Sequence, residues 1–240
     1  MRSLLACPLL ALMVGCATAT APSLVGDDDD VPVDARVTDG RLTDARIIDA
    51  SIDAPALQTI TLSQAGSTTV AAAASVACTD TATGISRQNS YYRVFRLADF
   101  GVNRPFTPTM VSFGVEQATA GAGAAQTVQV KLYTLSGALL VQNMINVAGN
   151  NATIPNSGIA TVNVPIAPAP IIQPGSTLVA EVFVPDGLAV GNIFFIGANM
   201  GTETATGYLR APDCGIAEPT TYAAIGFGTV RLVLSVTGTY

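Results

Sequence analysis

The stretch Thr177-Leu178-Val179-Ala180-Glu181-Val182-Phe183-Val184 is the segment that decides the fold. Apart from Thr177 and Glu181 it is apolar at every position, on both faces of the strand that it would form. A strand that is apolar on both faces needs cover on both, as in the middle of a sheet. The stretch therefore predicts a central β-strand.

Strand signals recur on both sides of this stretch, with turn-forming residues between most of them. They cover residues 57–62, 90–97, 109–116, 127–134, 160–166, 193–196 and 230–236. Two of them alternate, which predicts one mainly buried face in each. In the first, Val128, Val130 and Leu132 oppose Gln129, Lys131 and Tyr133. In the second, Val230, Leu232, Leu234 and Val236 oppose Arg231, Val233 and Ser235.

The composition supports the same fold class. The chain is rich in Val, Thr, Gly and Pro, and Lys131 is its single lysine, whereas helical surfaces use Lys, Glu and Gln freely. We predict an all-β fold, an antiparallel β-sandwich of jelly-roll type, formed by residues 56–240 as one domain.

The net charge of −6 is concentrated in one segment. Nine Asp and three Arg lie between residues 27 and 53, whereas residues 56–240 are close to neutral. The sequence contains no basic stripe that could neutralise phosphates, so nucleic acid is not an expected partner.

Residues 1–15 have the features of a signal peptide. Arg2 supplies a positive charge, and the apolar run 4–14 is shorter than the roughly 20 residues of a membrane span. The junction Leu12-Met13-Val14-Gly15-Cys16 resembles the lipobox of bacterial lipoproteins. The resemblance implies cleavage before Cys16 and lipidation of its thiol, although Met13 stands where that family usually has Leu.

The sequence allows two interpretations of where the exported protein is located. In lipoproteins of this kind an Asp after the cysteine often signals retention in the inner membrane; Ala17 stands there instead, which implies an outer-membrane lipoprotein. Ordinary cleavage at Ala17-Thr18-Ala19 would instead give a secreted protein.

Residues 16–55 are predicted to form a disordered acidic linker. Asp34, Asp39, Asp44 and Asp49 recur at every fifth position, which matches neither helix nor strand, and Ala or Gly fills the place where pentapeptide-repeat proteins carry a large residue. Calcium binding by these carboxylates would lack preorganisation. Residues 22–55 would span roughly 30 Å as a flexible coil and at most about 115 Å when fully extended.

Cys78 and Cys214 are the cysteines of the predicted domain, and export leads to an oxidising compartment. We predict a disulfide between them. The alternative is a pair of free thiols with redox activity, but the sequence offers neither a C-x-x-C motif nor a histidine base.

An ordered series of short motifs runs from Cys78 to Tyr240. It includes Asn89-Ser90-Tyr91-Tyr92-Arg93-Val94-Phe95, Phe113-Gly114-Val115-Glu116, Val130-Lys131-Leu132-Tyr133 and Ala211-Pro212-Asp213-Cys214-Gly215. The series resembles an uncharacterised β-sandwich accessory domain found on secreted bacterial proteins. That resemblance implies an extracellular setting and a β-sandwich, and it implies no particular ligand.

The chain contains no histidine. This removes the usual general base, the Ser-His-Asp triad, the Cys-His dyad and most zinc sites, so we expect no catalytic centre, metal or cofactor. A hydrolase with two carboxylates could use Glu116 and Glu181. The simpler interpretation is that each is a solvent-facing or Arg-paired strand residue.

The densest aromatic and polar cluster consists of Asn89, Tyr91, Tyr92 and Arg93. It is a candidate ligand site, because such groups stack on sugar rings and bind hydroxyls. The competing interpretation packs one tyrosine inward and pairs Arg93 with a carboxylate such as Asp99 or Asp213.

These observations predict a non-enzymatic, surface-tethered lipoprotein that displays a binding or adhesion module for a glycan or a surface protein. One alternative is a structural envelope lipoprotein without a small ligand. The least supported alternative is the carboxylate hydrolase.

Overall fold

A computed structural model describes residues 56–240. The predicted signal peptide 1–15, the linker 16–55 and the lipidation site Cys16 lie outside the described residues and stay predictions. Within 56–240, no helix has the length and apolar character needed to cross a membrane.

The described part of the chain is built from strands joined by turns and three short 3₁₀ segments. The strands are β1 (Thr59–Ser63), β2 (Asn89–Arg96), β3 (Thr107–Thr119), β4 (Ala125–Leu135), β5 (Met144–Pro155), β6 (Ala160–Pro165), β7 (Thr177–Val184), β8 (Ile193–Ile196), β9 (Ala198–Asn199), β10 (Tyr208–Ala211), β11 (Ile216–Thr221), β12 (Arg231–Leu232) and β13 (Leu234–Thr239). The 3₁₀ segments span Leu97–Phe100, Val141–Asn143 and Pro212–Cys214.

Two antiparallel sheets form the sandwich. The five-stranded sheet has the order β1-β13-β3-β6, with β8 paired to β3, and the six-stranded sheet has the order β11-β10-β2-β7-β4-β5. β9 and β12 form a small separate ladder. The chain changes sheets repeatedly, from β2 to β3 to β4 and from β5 to β6 to β7 to β8, as in a jelly roll. The predicted fold class is confirmed.

β7 lies between β2 and β4 in the six-stranded sheet, as its sequence predicts. Leu178, Ala180 and Val182 enter the core between the sheets. Glu181 and Phe183 therefore point to the opposite side, because successive side chains of a strand alternate. We call this side, which is turned away from the five-stranded sheet, the outer face.

β4 follows the predicted alternation. Val128, Val130 and Leu132 are fully buried in the core, so the alternate residues project from the outer face. These are Gln129, Lys131 and Tyr133, and each is partly exposed.

The sequence did not predict β5, β9, β10 or β11. β5 carries Gly149-Asn150-Asn151 in its middle, a combination typical of turns, yet it pairs with β4 from Met144 to Pro155 with one bulge at Val147. β11 contains Pro219, and its pairing with β10 is irregular. In these strands, pairing with neighbours outweighs the local preference of the residues.

The predicted disulfide between Cys78 and Cys214 is confirmed. Their Cα atoms are 5.9 Å apart, and they are separated by 136 positions in the chain. The bond ties the segment before β2 to the 3₁₀ turn between β10 and β11. It therefore fastens one edge of the six-stranded sheet.

Reduction of this disulfide should lower the free energy of unfolding by about 2–5 kcal/mol, because the bond restricts a long loop of the unfolded chain. Chemical denaturation of the oxidised protein, with and without a thiol reductant, measures the difference. A Cys78→Ala/Cys214→Ala variant is the control and should match the reduced protein in either condition. Equal stability of the oxidised and reduced proteins would contradict the expectation.

Candidate functional site

The cluster proposed from the sequence does not form an exposed site. Asn89, Tyr91, Tyr92 and Arg93 have relative exposures of 0, 0, 2 and 0 %. They lie on β2, which is paired on both sides, with β10 and with β7. The hypothesis of a surface ligand patch at these four residues is therefore wrong. As the competing interpretation expects, one tyrosine, Tyr91, packs inward into the core, whereas Tyr92 is buried on the opposite side of the sheet.

Asn89 holds the segment that carries the disulfide. Its Oδ1 accepts a hydrogen bond from the Cys78 backbone N–H at 2.8 Å. Its Nδ2 donates to the Cys78 carbonyl at 3.0 Å and to the Arg87 carbonyl at 2.8 Å. The amide satisfies buried backbone groups, so its role is structural.

Arg93 is the centre of a second buried network. Its guanidinium donates to Glu203 Oε2 at 2.9 Å, to the Leu232 carbonyl at 2.6 Å and to the Ala205 carbonyl. Arg231 lies 3.2 Å from the other Glu203 oxygen. The two arginines thus share one carboxylate.

Arg93 pairs with a carboxylate, as the competing interpretation expects, but the partner is Glu203 and not Asp99 or Asp213. Glu203 belongs to the connection between β9 and β10, and the fold brings it to the core side of β2. Asp213 lies instead 3.5 Å from Arg87. A buried guanidinium needs a carboxylate partner because desolvation of an unpaired charge is costly.

An Arg93→Ala substitution should destabilise the domain by about 3–5 kcal/mol, because it leaves the Glu203 carboxylate largely desolvated next to one remaining arginine. The matched control is Arg87→Ala, since Arg87 pairs with Asp186 and Asp213 at the surface and should cost less than about 1 kcal/mol. Denaturation midpoints measure both. If the two variants lose equal free energy of unfolding, the buried Arg93 network contributes no more to stability than a surface ion pair.

Glu116 and Glu181 do not form the pair that a carboxylate hydrolase requires. Glu116 is partly exposed on the face of β3 opposite the core, and it accepts the backbone N–H groups of Ala73 and Ser75 at 2.7 and 2.9 Å rather than pairing with an arginine. Glu181 lies on the outer face of the other sheet. Packed sheets lie about 10 Å apart, and both carboxylates point away from the space between them because their neighbours Val115 and Ala180 enter the core. They are therefore farther apart than the roughly 5–9.5 Å that separates paired hydrolase carboxylates. This pair is therefore not assembled.

Glu181 instead organises a polar cluster on the outer face. The Glu181 cluster consists of Tyr92, Lys131, Tyr133 and Glu181. Tyr92 and Lys131 stand directly beside Glu181 on the two neighbouring strands. The Tyr133 hydroxyl donates to Glu181 Oε2 at 2.5 Å, and Lys131 Nζ lies 4.0 Å from the same oxygen.

The two phenols of the cluster are held in the protonated form. Burial, and then the charge of Glu181, raise the pKa of Tyr133 and of Tyr92 above the ordinary value. Each hydroxyl is therefore a hydrogen-bond donor at neutral pH. The carboxylate itself is 3 % exposed, so these donors and Lys131 replace the water that it lacks.

Part of the outer face is covered by the connection between β4 and β5. Val141, in its 3₁₀ segment, donates its backbone N–H to Glu218 Oε2 of β11 at 2.9 Å. β11 and β5 are the two edges of the six-stranded sheet. The contact therefore joins elements from opposite edges of the sheet, in keeping with the low exposure of Tyr92.

An open cleft of about 600 Å³ lies beside the Glu181 cluster, on β4 and β5. It is lined by Gln129, Val130, Lys131, Tyr133, Asn146, Gly149, Asn150 and Asn151. We call it the amide cleft, because Gln and Asn side chains make up half of its lining.

The absence of a side chain at Gly149 leaves space for the amide cleft. It stands opposite Lys131, and a Cβ atom at this position would lie 2.9 Å from the Val130 carbonyl oxygen. That distance is too short for an undisturbed strand pair. A larger residue would push the strands apart and fill the cleft.

Two cross-strand pairs form its ends: Gln129 faces Asn151, and Tyr133 faces Asn146. The carboxamides of Gln129 and Asn151 have no hydrogen-bond partner within residues 56–240, while the Asn146 amide donates to the Ala148 carbonyl at 3.3 Å. A carboxamide both donates and accepts hydrogen bonds. The cleft therefore offers unused donors and acceptors to a ligand.

Other candidate sites in the described chain are weaker. A depression of about 420 Å³ contains Arg104, but this guanidinium already donates to the Tyr240 carbonyl at 3.0 Å. A mainly apolar depression of about 360 Å³ lies beside the disulfide at Phe227. Within 56–240, no three His, Cys, Asp or Glu side chains are grouped so that they could hold a metal ion.

One wall of the amide cleft could be predicted from the sequence. It placed Gln129, Lys131 and Tyr133 on the face opposite the core, and the structure agrees. The other wall comes from β5, which was not among the strands predicted from the sequence. A polar alternating strand followed by such a run is the feature that could have indicated the site.

Comparisons with known proteins assign no family. No protein-family model matches the chain, and no curated protein is similar to it at a significant level. One similar solved structure is that of the cysteine protease and lectin-like domains of Cwp84, a surface layer associated protein of Clostridium difficile, with 13% sequence identity and a TM-score of 0.45. The match covers 64% of this chain and 32% of that chain. A similarity this weak identifies neither a ligand nor an activity.

Proposed function

We propose that the protein is a non-enzymatic binding module, displayed at the cell envelope, whose ligand occupies the amide cleft. The observation that carries the proposal is the pair of unused carboxamides, Gln129 and Asn151, beside a fixed Tyr133 in an open cleft. Charged side chains are the usual means of keeping a surface soluble. Uncharged hydrogen-bonding groups around a cleft of this size suit ligand recognition better.

The ligand that fits these groups best is a glycan. Sugar hydroxyls pair with carboxamides, and the partly exposed ring of Tyr133 can pack against the face of a sugar. This keeps the type of site that the sequence suggested and moves it from β2 to β4 and β5. A surface protein is a weaker candidate, because protein interfaces have an apolar centre that this cleft lacks.

Display at the envelope is supported by the sequence of residues 1–55. The lipobox-like junction at Cys16 would supply a lipid anchor, and the acidic segment would act as a spacer. Repulsion among its Asp residues favours extension. The domain would then stand clear of the membrane with its cleft accessible.

A Gln129→Ala/Asn151→Ala variant should bind about tenfold more weakly or worse, because each lost hydrogen bond is worth about 0.5–1.5 kcal/mol. The measurement is isothermal titration of the purified, oxidised protein with the soluble polysaccharides that it binds in a glycan screen. Both residues are exposed enough that the fold should persist, and the denaturation midpoint checks this.

The matched control is Gln117→Ala. Gln117 is an exposed carboxamide on β3, in the five-stranded sheet, and is not part of the cleft lining, so binding should be unchanged. A folded protein that shows no saturable binding to any glycan would contradict the proposed function. Equal affinity of the double variant and the unmodified protein would place the ligand elsewhere.

A Cys16→Ser substitution should move the protein from the membrane fraction to the soluble fraction, because the acylated thiol would be lost. Detergent phase partitioning of cell extracts measures the change. Cys7→Ser, which alters a cysteine within the predicted signal, is the control and should leave the protein in the membrane fraction. An unmodified protein that is already soluble would favour simple secretion.

A further inference from the structure

The formal charges around the amide cleft cancel. Lys131 is the single charged residue in the lining, and its ammonium nitrogen lies 4.0 Å from the Glu181 carboxylate and 4.2 Å from the centre of the Phe183 ring. Recognition of an anionic polymer uses several available Lys or Arg side chains. The one cation here is already engaged on two sides.

The groups that remain available are carboxamides. Gln129 and Asn151 stand opposite each other, and each presents an N–H donor and a carbonyl acceptor. A sugar hydroxyl can satisfy both, because it also donates and accepts. A carboxylate or sulfate only accepts, so it would displace water and leave the amide oxygens unpaired, which costs binding energy.

The cleft is open rather than a closed pocket. Its lining runs along β4 from Gln129 to Tyr133, a length of about 13 Å at about 3.3 Å per residue. The cleft is longer than a single sugar ring. Because it is open, a polysaccharide does not need to enter it by a chain end. An extended ligand could therefore continue beyond the cleft in both directions.

We propose that the amide cleft selects an uncharged polysaccharide, bound through internal sugar units, over anionic polymers. This rests on the proposed function, that the cleft is a ligand site, and adds the charge class and binding mode of the ligand. The Tyr133 hydroxyl is held by Glu181, so the ring is already ordered. A sugar that stacks on this ring therefore costs little side-chain entropy. Gln129 and Asn151 supply the paired donors and acceptors.

The test compares matched polymers. Soluble neutral glucans, mannans and xylans, each with its carboxymethylated or sulfated derivative, are titrated into the full-length oxidised protein at about 0.05 M and about 0.5 M NaCl, which spans weak to strong screening. We expect the affinity for the neutral member to change by less than about twofold between these salt concentrations. The charged derivative should bind at least about tenfold more weakly, since its anionic groups leave amide acceptors unpaired.

The outcomes separate this inference from the proposed function. Tighter binding of a charged derivative that weakens with salt, and that Gln129→Ala/Asn151→Ala reduces, would overturn the charge selectivity while leaving the cleft as a ligand site. A free monosaccharide that binds as tightly as its polymer would overturn the internal-segment mode. Absence of binding to either series, or binding that the double variant and Gln117→Ala leave equally intact, would overturn the proposed function itself.

Discussion

Apolar side chains packed between two antiparallel sheets hold the domain together, and their alternation along each strand dictates the opposite face. On β7, Leu178 and Ala180 must enter the core, so Glu181 is placed on the outer face. On β4, the burial of Val130 turns Lys131 towards the same side. The polar cluster beside the cleft is therefore a consequence of how the core is filled.

Buried charge is compensated separately on the two faces of the six-stranded sheet. On the outer face, Glu181 receives the Tyr133 hydroxyl and lies near Lys131, and on the core side Arg93 is held by Glu203. An uncompensated charge at either place would be strongly destabilising. Because these partners already use the charges, the groups left for a ligand are neutral amides. This is the physical basis of the proposal that the cleft prefers hydroxyls to anions.

Charge is distributed unevenly along the chain. The Asp-rich segment before residue 56 carries nearly all of the net charge, whereas the domain is close to neutral. In the proposed function, repulsion among the Asp residues would favour an extended spacer, and a nearly neutral domain would add little long-range field at the cleft. Anchoring, spacing and recognition would then fall to different parts of the sequence.

The sequence by itself determined the fold class, the central strand 177–184, the core face of β4 and the Cys78–Cys214 pairing. These follow from hydrophobic periodicity and from the number of cysteines, which are local or compositional properties. Only the tertiary structure decided that Arg93 pairs with Glu203, that Asn89 and both tyrosines of β2 are buried, and that the Asn-rich segment 146–151 forms the wall of a cleft. Those outcomes depend on strands that are distant in sequence becoming neighbours in a sheet, and pairing of that kind outweighs the preferences of the residues themselves.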